Sequence, residues 1–364
     1  MKNRNVNRIF VDVHVVQSLP PSCVNRDDTG SPKTAVYGGV RRARVSSQAW
    51  KRAMREMFKK YFSEDELDER TKKIVDKVAV QIRAISDTGD EKSKELAEKI
   101  INNAGVTTKD SEAKALFFMS NKQAESMAKL ALTDPMPGKK EAQAALNAGK
   151  GVEIALFGRM VADDPILNAD ASAQVAHAIS THRVENEYDY YTAMDDRAPE
   201  DQSGAGMIGT IEFNSSTLYR YATVAAHDLK TNLGDLGAST KAVREFVRGF
   251  VCSMPTGKLN TFANNTPPYA VMVAIRQDQP VNLVGAFEQP IRAGDRGYQE
   301  QSSKALAEYA NAVYGNFLDA PEKAFVVSIG SELDKLGEKM GLSELLSKVE
   351  QVVGGILQED GEKA

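Results

Sequence analysis

The sequence predicts an α+β protein whose strands and helices follow the order βαββαβ, interrupted by two long insertions. Three observations lead to this prediction: apolar and polar residues alternate at the start of the chain, two amphipathic helical patterns lie far apart, and two β-rich arms flank a polar segment. The chain has 364 residues, of which 42% are hydrophobic, so it can bury a sizeable core without disulfides or metals.

The first two elements are predicted to be a strand and a basic helix. Apolar and polar side chains alternate over Ile9–Val15, which is typical of a half-buried strand, and turn-forming residues occupy 25–33. Ser46 or Ser47 is expected to cap a helix that buries Trp50 and runs to about residue 61. Hydrogen-bond donors follow its other face at i+4 steps: Ser47, Lys51, Arg55 and Lys59.

A helical insertion is predicted after this helix. Ser63 and Glu66 have the spacing of a capping box, and charged, alanine-rich runs follow. We expect helices over 65–85, 92–103, 111–132 and 139–148. The run Val152–Leu156 is then predicted to be a strand that ends at Gly158-Arg159-Met160, and a further helix is predicted over about 169–180.

The second insertion is predicted to be a long β-hairpin. Its arms, 183–192 and 209–224, contain most of the tyrosines of this region and flank a segment rich in Asp, Gly and Pro. The remaining predicted elements are a helix from Ser239, a strand over 269–275, and helices over 298–314 and 331–353. Without the two insertions, this order is that of ferredoxin-like and RRM-type folds.

The charge of the chain is unevenly distributed. The formal net charge is −4, from 46 Lys and Arg against 50 Asp and Glu, which by itself argues against a nucleic-acid partner. The segment Arg26–Lys60, however, holds ten basic and three acidic residues and carries +7, which leaves −11 for the rest of the chain. Such a block is either a phosphate-binding surface or a solvated helix face, and the charge count does not decide between them.

Composition excludes several classes of protein. Two cysteines, Cys23 and Cys252, form neither a disulfide framework nor a zinc knuckle, which favours the cytoplasm as the compartment. No apolar segment follows the basic N-terminus, and no run approaches about 18 apolar residues, so neither a signal peptide nor a membrane partner is expected. The sequence also lacks a Walker A loop, a dinucleotide fingerprint, a nucleophile elbow and a C-x-x-C motif.

Few residues suggest catalysis. The histidines lack evident charged partners, and structural roles are expected for all four: His14, His177, His182 and His227. Three acidic pairs lie in turn-like segments and leave open a two-metal nuclease: Asp27-Asp28, Asp163-Asp164 and Asp195-Asp196. We predict no catalytic residue, no metal site and no cofactor.

The best candidate for binding chemistry is the block Gly38–Arg55. Its glycines allow close approach to phosphates, guanidinium groups bind phosphates through paired donors, and serines at a helix N-terminus add further anion donors. Such contacts hold a nucleic-acid backbone without reading its sequence. Met160 and the aromatic hairpin would supply surfaces for bases, although a methionine alone is also typical of a core position.

These residues resemble the backbone subunit of the type I-E CRISPR surveillance complex Cascade, which is the CasC family of the RRM-based repeat-associated superfamily. The resemblance covers about residues 8–225 in register. Its matching blocks are 21–28, 38–55, 152–160, 176–179 with 181–182, 192–193 with 195–196, and 212–213 with 219–222.

The resemblance implies an RRM-like palm, helical fingers and a β-hairpin thumb. The palm would comprise 1–62, 149–183 and 210–364. The fingers would comprise 63–148 and part of 161–182. The thumb would comprise 184–209 with an adjoining strand to about residue 224.

The resemblance also implies the partners. Neighbouring copies would assemble along one CRISPR RNA, and each thumb would kink the RNA and displace a base, so that the intervening bases stay free to pair with the target DNA strand. The other implied partners are the large subunit, the small subunit, the 5′-handle cap subunit and the 3′-hairpin endoribonuclease subunit, in the bacterial cytoplasm.

A set of RNA-binding residues follows from the resemblance and the basic block together. In the family, residues that match the block hold the guide backbone (Arg26, Ser46, Lys51 and Arg55), and others lie beside the displaced base (Met160, Tyr191 and Thr192). The full predicted set is Arg26, Arg41, Arg42, Arg44, Ser46, Ser47, Gln48, Lys51, Arg55, Arg159, Met160, Tyr191 and Thr192.

Two alternatives stay open at this point. The first is an endoribonuclease of the same superfamily, for which His14, His182 and Asp28 are the residues to test. The second is a general RNA-binding module outside immunity.

Overall fold

A 10-stranded sheet forms the centre of the part of the chain that the structure describes. The structure, a computed structural model, describes residues 8–134, 136–161, 164–193, 196–197 and 207–362. The strands of this sheet are β1 (Phe10–Ser22), β2 (Thr34–Tyr37), β3 (Val40–Val45), β8 (Ala173–Val175), β9 (Ala178–Ser180), β10 (Glu187–Ala193), β11 (Met207–Ala225), β12 (Ala270–Arg276), β13 (Lys323–Ser328) and β14 (Glu338–Lys339).

Two small ladders, eleven α-helices and two 3-10 helices, Pro165–Leu167 and Leu283–Phe287, complete the secondary structure of the described residues. The ladders pair β4 (Asp68–Thr71) with β7 (Phe117–Ser120), and β5 (Thr108–Lys109) with β6 (Glu112–Ala113). The helices are α1 (Ser47–Phe58), α2 (Ile74–Ile85), α3 (Asp90–Asn103), α4 (Asn121–Thr133), α5 (Lys139–Asn147), α6 (Val152–Phe157), α7 (Ala226–Leu233), α8 (Leu236–Cys252), α9 (Leu259–Phe262), α10 (Gln299–Asn316) and α11 (Leu342–Glu362).

The centre of the sheet confirms the predicted α+β class. The order is β14-β13-β12-β1-β11-β9-β3-β2, and β8 and β10 also pair with β11. β1 lies antiparallel between β11 and β12, with Val13 opposite Ala222 on one side and Val273 on the other. The strands β1, β9, β11 and β12, with helices α1 and α8, have the βαββαβ order, but β9 takes the place that the prediction gave to residues 152–156.

Both faces of the sheet are covered, so the prediction of a half-buried first strand is wrong. On one face, Val11, Val13 and Val15 pack in a core that also contains residues of α1, α8 and α11. On the other face, Asp12 and His14 are fully buried, because α10 and the 3-10 helix Leu283–Phe287 cover the sheet there. Period-two alternation indicates one exposed face, but helices cover both faces of this sheet, so the polar side chains of β1 are buried as well.

A polar network lies between the sheet and this second cover. The Asp12 carboxylate accepts hydrogen bonds from the Tyr221 hydroxyl at 2.9 Å and from the Val281 amide at 2.8 Å. His14 Nδ1 lies 2.9 Å from the Tyr219 hydroxyl. Burial raises the pKa of Asp12 to about 6 and, with the nearby charge of Arg276, lowers the pKa of His14 to about 3.

The Asp12 carboxyl makes stability depend on pH in a defined direction. Its folded-state pKa, about 6, exceeds the reference value of 3.8, so the folded protein holds the proton more tightly between these two values. The Asp12 contribution to the free energy of unfolding therefore falls as pH rises from about 4 to about 7, by about 2–3 kcal/mol. An Asp12→Asn variant, whose amide can donate to Tyr221 and accept from Val281, should lack this component.

Urea titrations from pH 4 to pH 8 test this prediction. Asp28→Asn, at an exposed position, is the control and should follow the wild-type profile. Identical pH profiles for wild type and Asp12→Asn would contradict the prediction.

The helical insertion has an apolar core of its own. This core contains residues of α2, α3, α4 and α5, among them Ile82, Ile101 and Met127, together with Val161 and Leu167 from beyond the insertion. The predicted helices over 92–103 and 139–148 are confirmed as α3 and α5. The predicted helices over 65–85 and 111–132 are correct only in part, because residues 68–71 and 117–120 form the ladder of β4 and β7.

Three further predictions of secondary structure are wrong. Val152–Leu156 is helical, because the Asp68 carboxylate accepts hydrogen bonds from the Gly151 and Ile154 amides and so caps α6. Residues 173–180 form β8 and β9 instead of a helix, because the long strand β11 offers its free edge to them. Residues 323–341 form β13, β14 and turns, so α11 begins only at Leu342.

Candidate nucleic-acid groove

Helix α1 begins where the sequence predicts and presents its polar face to the surface. Ser46 is the N-cap: its hydroxyl accepts a hydrogen bond from the Ala49 amide at 3.3 Å, and its own amide donates to Asn25 Oδ1 at 2.9 Å. Trp50, Met54 and Phe58 are buried beneath the helix. The 3.6-residue period therefore leaves the basic side chains facing outward.

Two depressions flank the exposed face of α1 and share Gln48 and Arg52. The first has a volume of about 500 Å³ and reaches the residues 158–160 and 168–171. The second has a volume of about 900 Å³ and reaches the loop 24–28 and the segment 254–258. We call the two depressions together the α1 groove.

The first depression holds a cluster of cations around an aromatic ring. Lys51, Arg55 and Arg70 line it together with Phe118. The Arg55 guanidinium lies 4.7 Å from the centre of the Phe118 ring, and the Arg70 guanidinium lies 5.6 Å from it. Lys51 Nζ lies 5.6 Å from the centre of the Phe157 ring, and burial lowers the pKa of this lysine.

Arg55 is held from below by a buried carboxylate. Its Nε donates to Glu153 Oε1 at 2.6 Å, and Glu153 is only 3% exposed. Glu153 Oε2 accepts a hydrogen bond from the Asp68 amide at 2.9 Å. Burial raises the pKa of Glu153, although Arg55 opposes this rise, and burial with the Glu153 charge raises the pKa of Asp68 to about 7. Because Glu153 uses Nε, the terminal nitrogens of Arg55 are left for an anion in the groove.

The second depression brings three separate parts of the chain together. Arg26 comes from the loop after β1, Ser46 caps α1, and Lys258 comes from the segment after α8. Lys258 has a φ of 50°, in the left-handed region that residues other than glycine seldom adopt. The depression also contains the carboxylates of Asp27, Asp28 and Glu56, so its cations are partly balanced.

Two of the predicted RNA contacts are buried and occupied within the fold. Arg42 donates to the carbonyl oxygens of Tyr37 at 3.1 Å, of Ser180 at 2.9 Å and of Phe287 at 2.8 Å. Because side chains alternate along β3, the Arg42 side chain lies on the covered face of the sheet, whereas its neighbour Arg41 is exposed. We therefore give Arg42 a structural role and drop it from the contact set.

Arg159 is the second such residue. It lines the first depression, but its Nε donates to the Leu167 carbonyl at 2.9 Å and its Nη2 donates to Asn147 Oδ1 at 2.8 Å. Burial lowers the pKa of this guanidinium to about 10. Because these bonds and the Phe118 carbonyl occupy its donors, Arg159 joins the insertion to the segment 158–169 and leaves the contact set.

The remaining residues of the predicted set fall in different places. Gln48, Lys51 and Arg55 line the α1 groove, and Met160 extends from its rim with 86% of its surface exposed. Ser47 is buried in the first turn of α1. Arg44 lies on the opposite face of the sheet from α1.

The predicted hairpin is confirmed, with β10 paired to β11 over residues 187–193. All residues of β10 are exposed, and Tyr191 lies opposite Gly209, where any Cβ would collide with the tyrosine ring. Because side chains alternate along a strand, Tyr191 and Thr192 point to opposite faces of the hairpin. Most of the predicted tip, residues 194–195 and 198–206, lies outside the described residues.

The residues proposed for a nuclease do not form a site in the described part of the chain. His14 is fully buried, and His182 accepts a hydrogen bond from the Thr217 amide while its Nδ1 lies 2.8 Å from the Arg183 carbonyl. Asp163 and Asp195 lie outside the described residues. Among the residues described, no three His, Cys, Asp or Glu side chains are grouped as a metal site would require.

The sequence prediction missed several residues of the groove. Arg52 belongs to the same basic block and lies four residues after Gln48, so helical spacing could have identified it. Arg70, Phe118 and Lys258 come from distant segments, and only the tertiary structure brings them to α1.

No helix in the described ranges combines the length and apolar character that crossing a bilayer requires.

The chain matches a protein family and several solved structures. The model of the family of CT1975-like proteins matches residues 11–352. A chain described as "CRISPR RNA-guided surveillance complex, pre-nicking" is 31% identical, with a TM-score of 0.80 over 93% of this chain and 100% of that one. A chain described as "CRISPR RNA-guided surveillance complex" is 27% identical, with a TM-score of 0.71 over 93% of this chain and 99% of that one. Among curated proteins, none matches.

Proposed function

The chain belongs to the family of CT1975-like proteins, and from this premise we propose that it is a non-catalytic CRISPR RNA-binding backbone subunit of a type I-E Cascade complex. Two solved chains that it matches over nearly their whole length are described as CRISPR RNA-guided surveillance complexes. This similarity supports a place within such a complex, and the α1 groove supports the specific role.

The observation that carries the proposal is the grouping of donors along α1. Lys51, Arg52 and Arg55 follow one another along the helix face, and Gln48 joins them at its N-terminal end. Cations and amides spaced along a groove bind the phosphates of a strand, and the bases then stay outward for pairing. A guide RNA requires this arrangement, because base pairing and not the protein supplies its sequence specificity.

The exposed hairpin supports a second part of the role. Tyr188, Tyr190 and Tyr191 present exposed aromatic surface on β10. Aromatic side chains on a protruding arm can stack on or wedge between bases. We propose that the hairpin of one copy reaches the RNA bound by the next copy, displaces one base, and leaves the following bases to pair with the target DNA strand.

Further partners follow from this role. The subunit would contact neighbouring copies of itself and the large, small, 5′-handle cap and 3′-hairpin endoribonuclease subunits in the bacterial cytoplasm. The endoribonuclease alternative gains no support from its candidate histidines, because His14 and His182 are buried and bonded within the fold.

Co-expression tests the proposal. The chain, produced with the other subunits and a CRISPR array, should purify as an oligomer that contains guide RNA. Recovery of a monomer free of nucleic acid under these conditions would overturn the proposal. Incubation of the purified chain with labelled RNA and divalent metal should leave the RNA intact; cleavage that is lost in an Asp28→Ala variant would favour the endoribonuclease instead.

A further inference from the structure

A second cluster of unbalanced donors lies on the face of the sheet opposite α1. β3 pairs with β9, with Arg44 opposite Ile179 and Val45 opposite Ala178. Val45 and Ala178 are buried in the core beneath α1, so strand alternation places Arg44 on the other face. The elements that pack on that face of the sheet reach as far as Arg42, whose guanidinium donates to the Phe287 carbonyl. Arg44 lies beyond these elements.

Arg44 determines which donor His177 presents. Arg44 Nη1 lies 3.1 Å from His177 Nδ1, and a guanidinium can only donate, so Nδ1 is the acceptor. The imidazole is therefore neutral in this arrangement and carries its proton on Nε2. The His177 ring is exposed but partly desolvated, and this desolvation, followed by the charges of Arg44 and Lys33, lowers the pKa of His177 and favours this neutral form.

The cluster contains positive charge without a counter-ion. Arg44 Nε donates to the Thr34 carbonyl at 3.1 Å, and its Nη2 has no acceptor among the described residues. Neither Lys33 nor Arg44 forms an ion pair with a carboxylate within the described ranges. Arg44 and His177 are in side-chain contact, a backbone hydrogen bond joins Lys33 to Arg44, and neither of the two cations has a carboxylate partner within the described ranges.

The cluster is continuous with the α1 groove through one short loop. The Asn25 carbonyl accepts a hydrogen bond from the Lys33 amide at 2.9 Å, and the Asn25 side chain accepts one from the Ser46 amide at 2.9 Å. The Lys33 carbonyl in turn accepts from the Arg44 amide at 2.9 Å. Asn25 therefore holds the N-terminus of α1 and the strand that carries Arg44 at a set position relative to each other.

We propose that Lys33, Arg44 and His177 form a second phosphate-binding site, which takes a phosphodiester of the same RNA strand that lies in the α1 groove. The proposal rests on the proposed function. RNA is the occupant that the observations favour, because Asn25 links Lys33 to Ser46 of the α1 groove and because a guanidinium beside further N–H donors matches a phosphate. A carboxylate of another protein subunit would use the same donors, and the experiment separates the two.

The test measures RNA affinity of the full-length chain against salt concentration, with a labelled single-stranded RNA. Loss of one phosphate contact in a Lys33→Gln variant should reduce the slope of log K against log salt by about 0.7 and lower the affinity several-fold. His177→Ala removes a neutral donor, so it should lower affinity about 3–10-fold and leave the slope unchanged. Lys60→Gln, an exposed cation of the same basic block that lines neither depression, should behave as wild type.

The outcomes distinguish this site from the proposed function. If Lys51→Glu abolishes RNA binding whereas Lys33→Gln and His177→Ala match wild type, the second site is refuted and the proposed function stands. Loss of assembly with the other subunits at unchanged RNA affinity would assign the cluster to a protein carboxylate and overturn the proposal. A wild-type chain that binds no RNA, alone or in the complex, would refute the proposed function itself.

Discussion

A Lys51→Glu/Arg52→Glu variant should lose guide RNA almost completely. Both side chains line the α1 groove, and Arg52 is shared by its two depressions. Each charge-assisted hydrogen bond to phosphate contributes about 1.5–3 kcal/mol, so the loss of two weakens binding by roughly 100-fold or more, and the new negative charges repel the strand as well. The measurement is the amount of RNA that co-purifies with the variant, together with the affinity for single-stranded RNA.

The choice of residues follows from the geometry of α1. Arg55 lies on the same face, but it pairs with Glu153, and a glutamate there would leave two carboxylates together at a largely buried position. A loss of RNA binding in Arg55→Glu would therefore mix misfolding with loss of a contact. Lys51 and Arg52 form no ion pair with any described residue, so their reversal breaks no salt bridge and removes only the contact of the Lys51 ammonium with the Phe157 ring.

Two further variants make this result interpretable. Lys60→Glu changes the net charge within the same basic block, away from the groove, and should retain the RNA. Lys51→Gln/Arg52→Gln removes both contacts without repulsion and should fall between Lys60→Glu and the double reversal. An equal loss of RNA from Lys60→Glu and from the double reversal would show that total charge, and not the groove, holds the guide.

The largest effect on stability is expected from Trp50→Ala. Trp50 is fully buried between α1 and the sheet, and the guanidinium of Arg220 lies 3.7 Å from the centre of its ring. Truncation of a buried tryptophan costs about 3–5 kcal/mol, because the apolar transfer energy is lost and a cavity is left. This is a large share of the 5–15 kcal/mol by which domains are commonly stable.

Arg220 adds to the cost of this substitution. Its guanidinium is buried without a carboxylate partner in the described residues, and it donates to Gln17 and to the Phe250 carbonyl. Burial lowers the pKa of Arg220 to about 9. The faces of Trp50 and Phe250 supply the remaining electrostatic stabilisation of this cation, so an alanine at position 50 leaves it poorly compensated.

Chemical denaturation at neutral pH measures the effect. Trp50→Phe keeps an aromatic face beneath Arg220 and should lose less than half as much stability as Trp50→Ala. Lys59→Ala, on the exposed end of the same helix, should change the free energy of unfolding by no more than about 0.5 kcal/mol. A denaturation midpoint for Trp50→Ala close to the midpoint for Lys59→Ala would contradict the packing described.

Local rules predicted α1 and the hairpin well, and failed where distant residues intervene. The cap at Ser46 and the buried position of Trp50 follow from spacing along one helix. Val152–Phe157 is a short apolar run that is equally compatible with a strand or a helix, and the Asp68 carboxylate, from 84 residues earlier, makes it helical. Sequence periodicity carries no information about such a partner.

Adjacent arginines illustrate the same limit at the site. Arg41 and Arg42 have equal weight in a charge count, yet Arg41 is exposed and Arg42 is enclosed by four carbonyl oxygens. Alternation along β3 separates them, and only the packing of residues 287–288 on the sheet decides which side is covered.

The sequence by itself determined the α+β class, the basic face of α1 and the paired arms of the hairpin, because each depends on periodicity within one segment. The tertiary structure alone decided which cations reach the surface together. It joins Arg70 and Phe118 from the helical insertion, and Lys258 from beyond α8, to the α1 groove, and it turns Arg42 and Arg159 inward. The physical reason is that a groove forms between elements, whereas a sequence pattern reports only the faces of a single element.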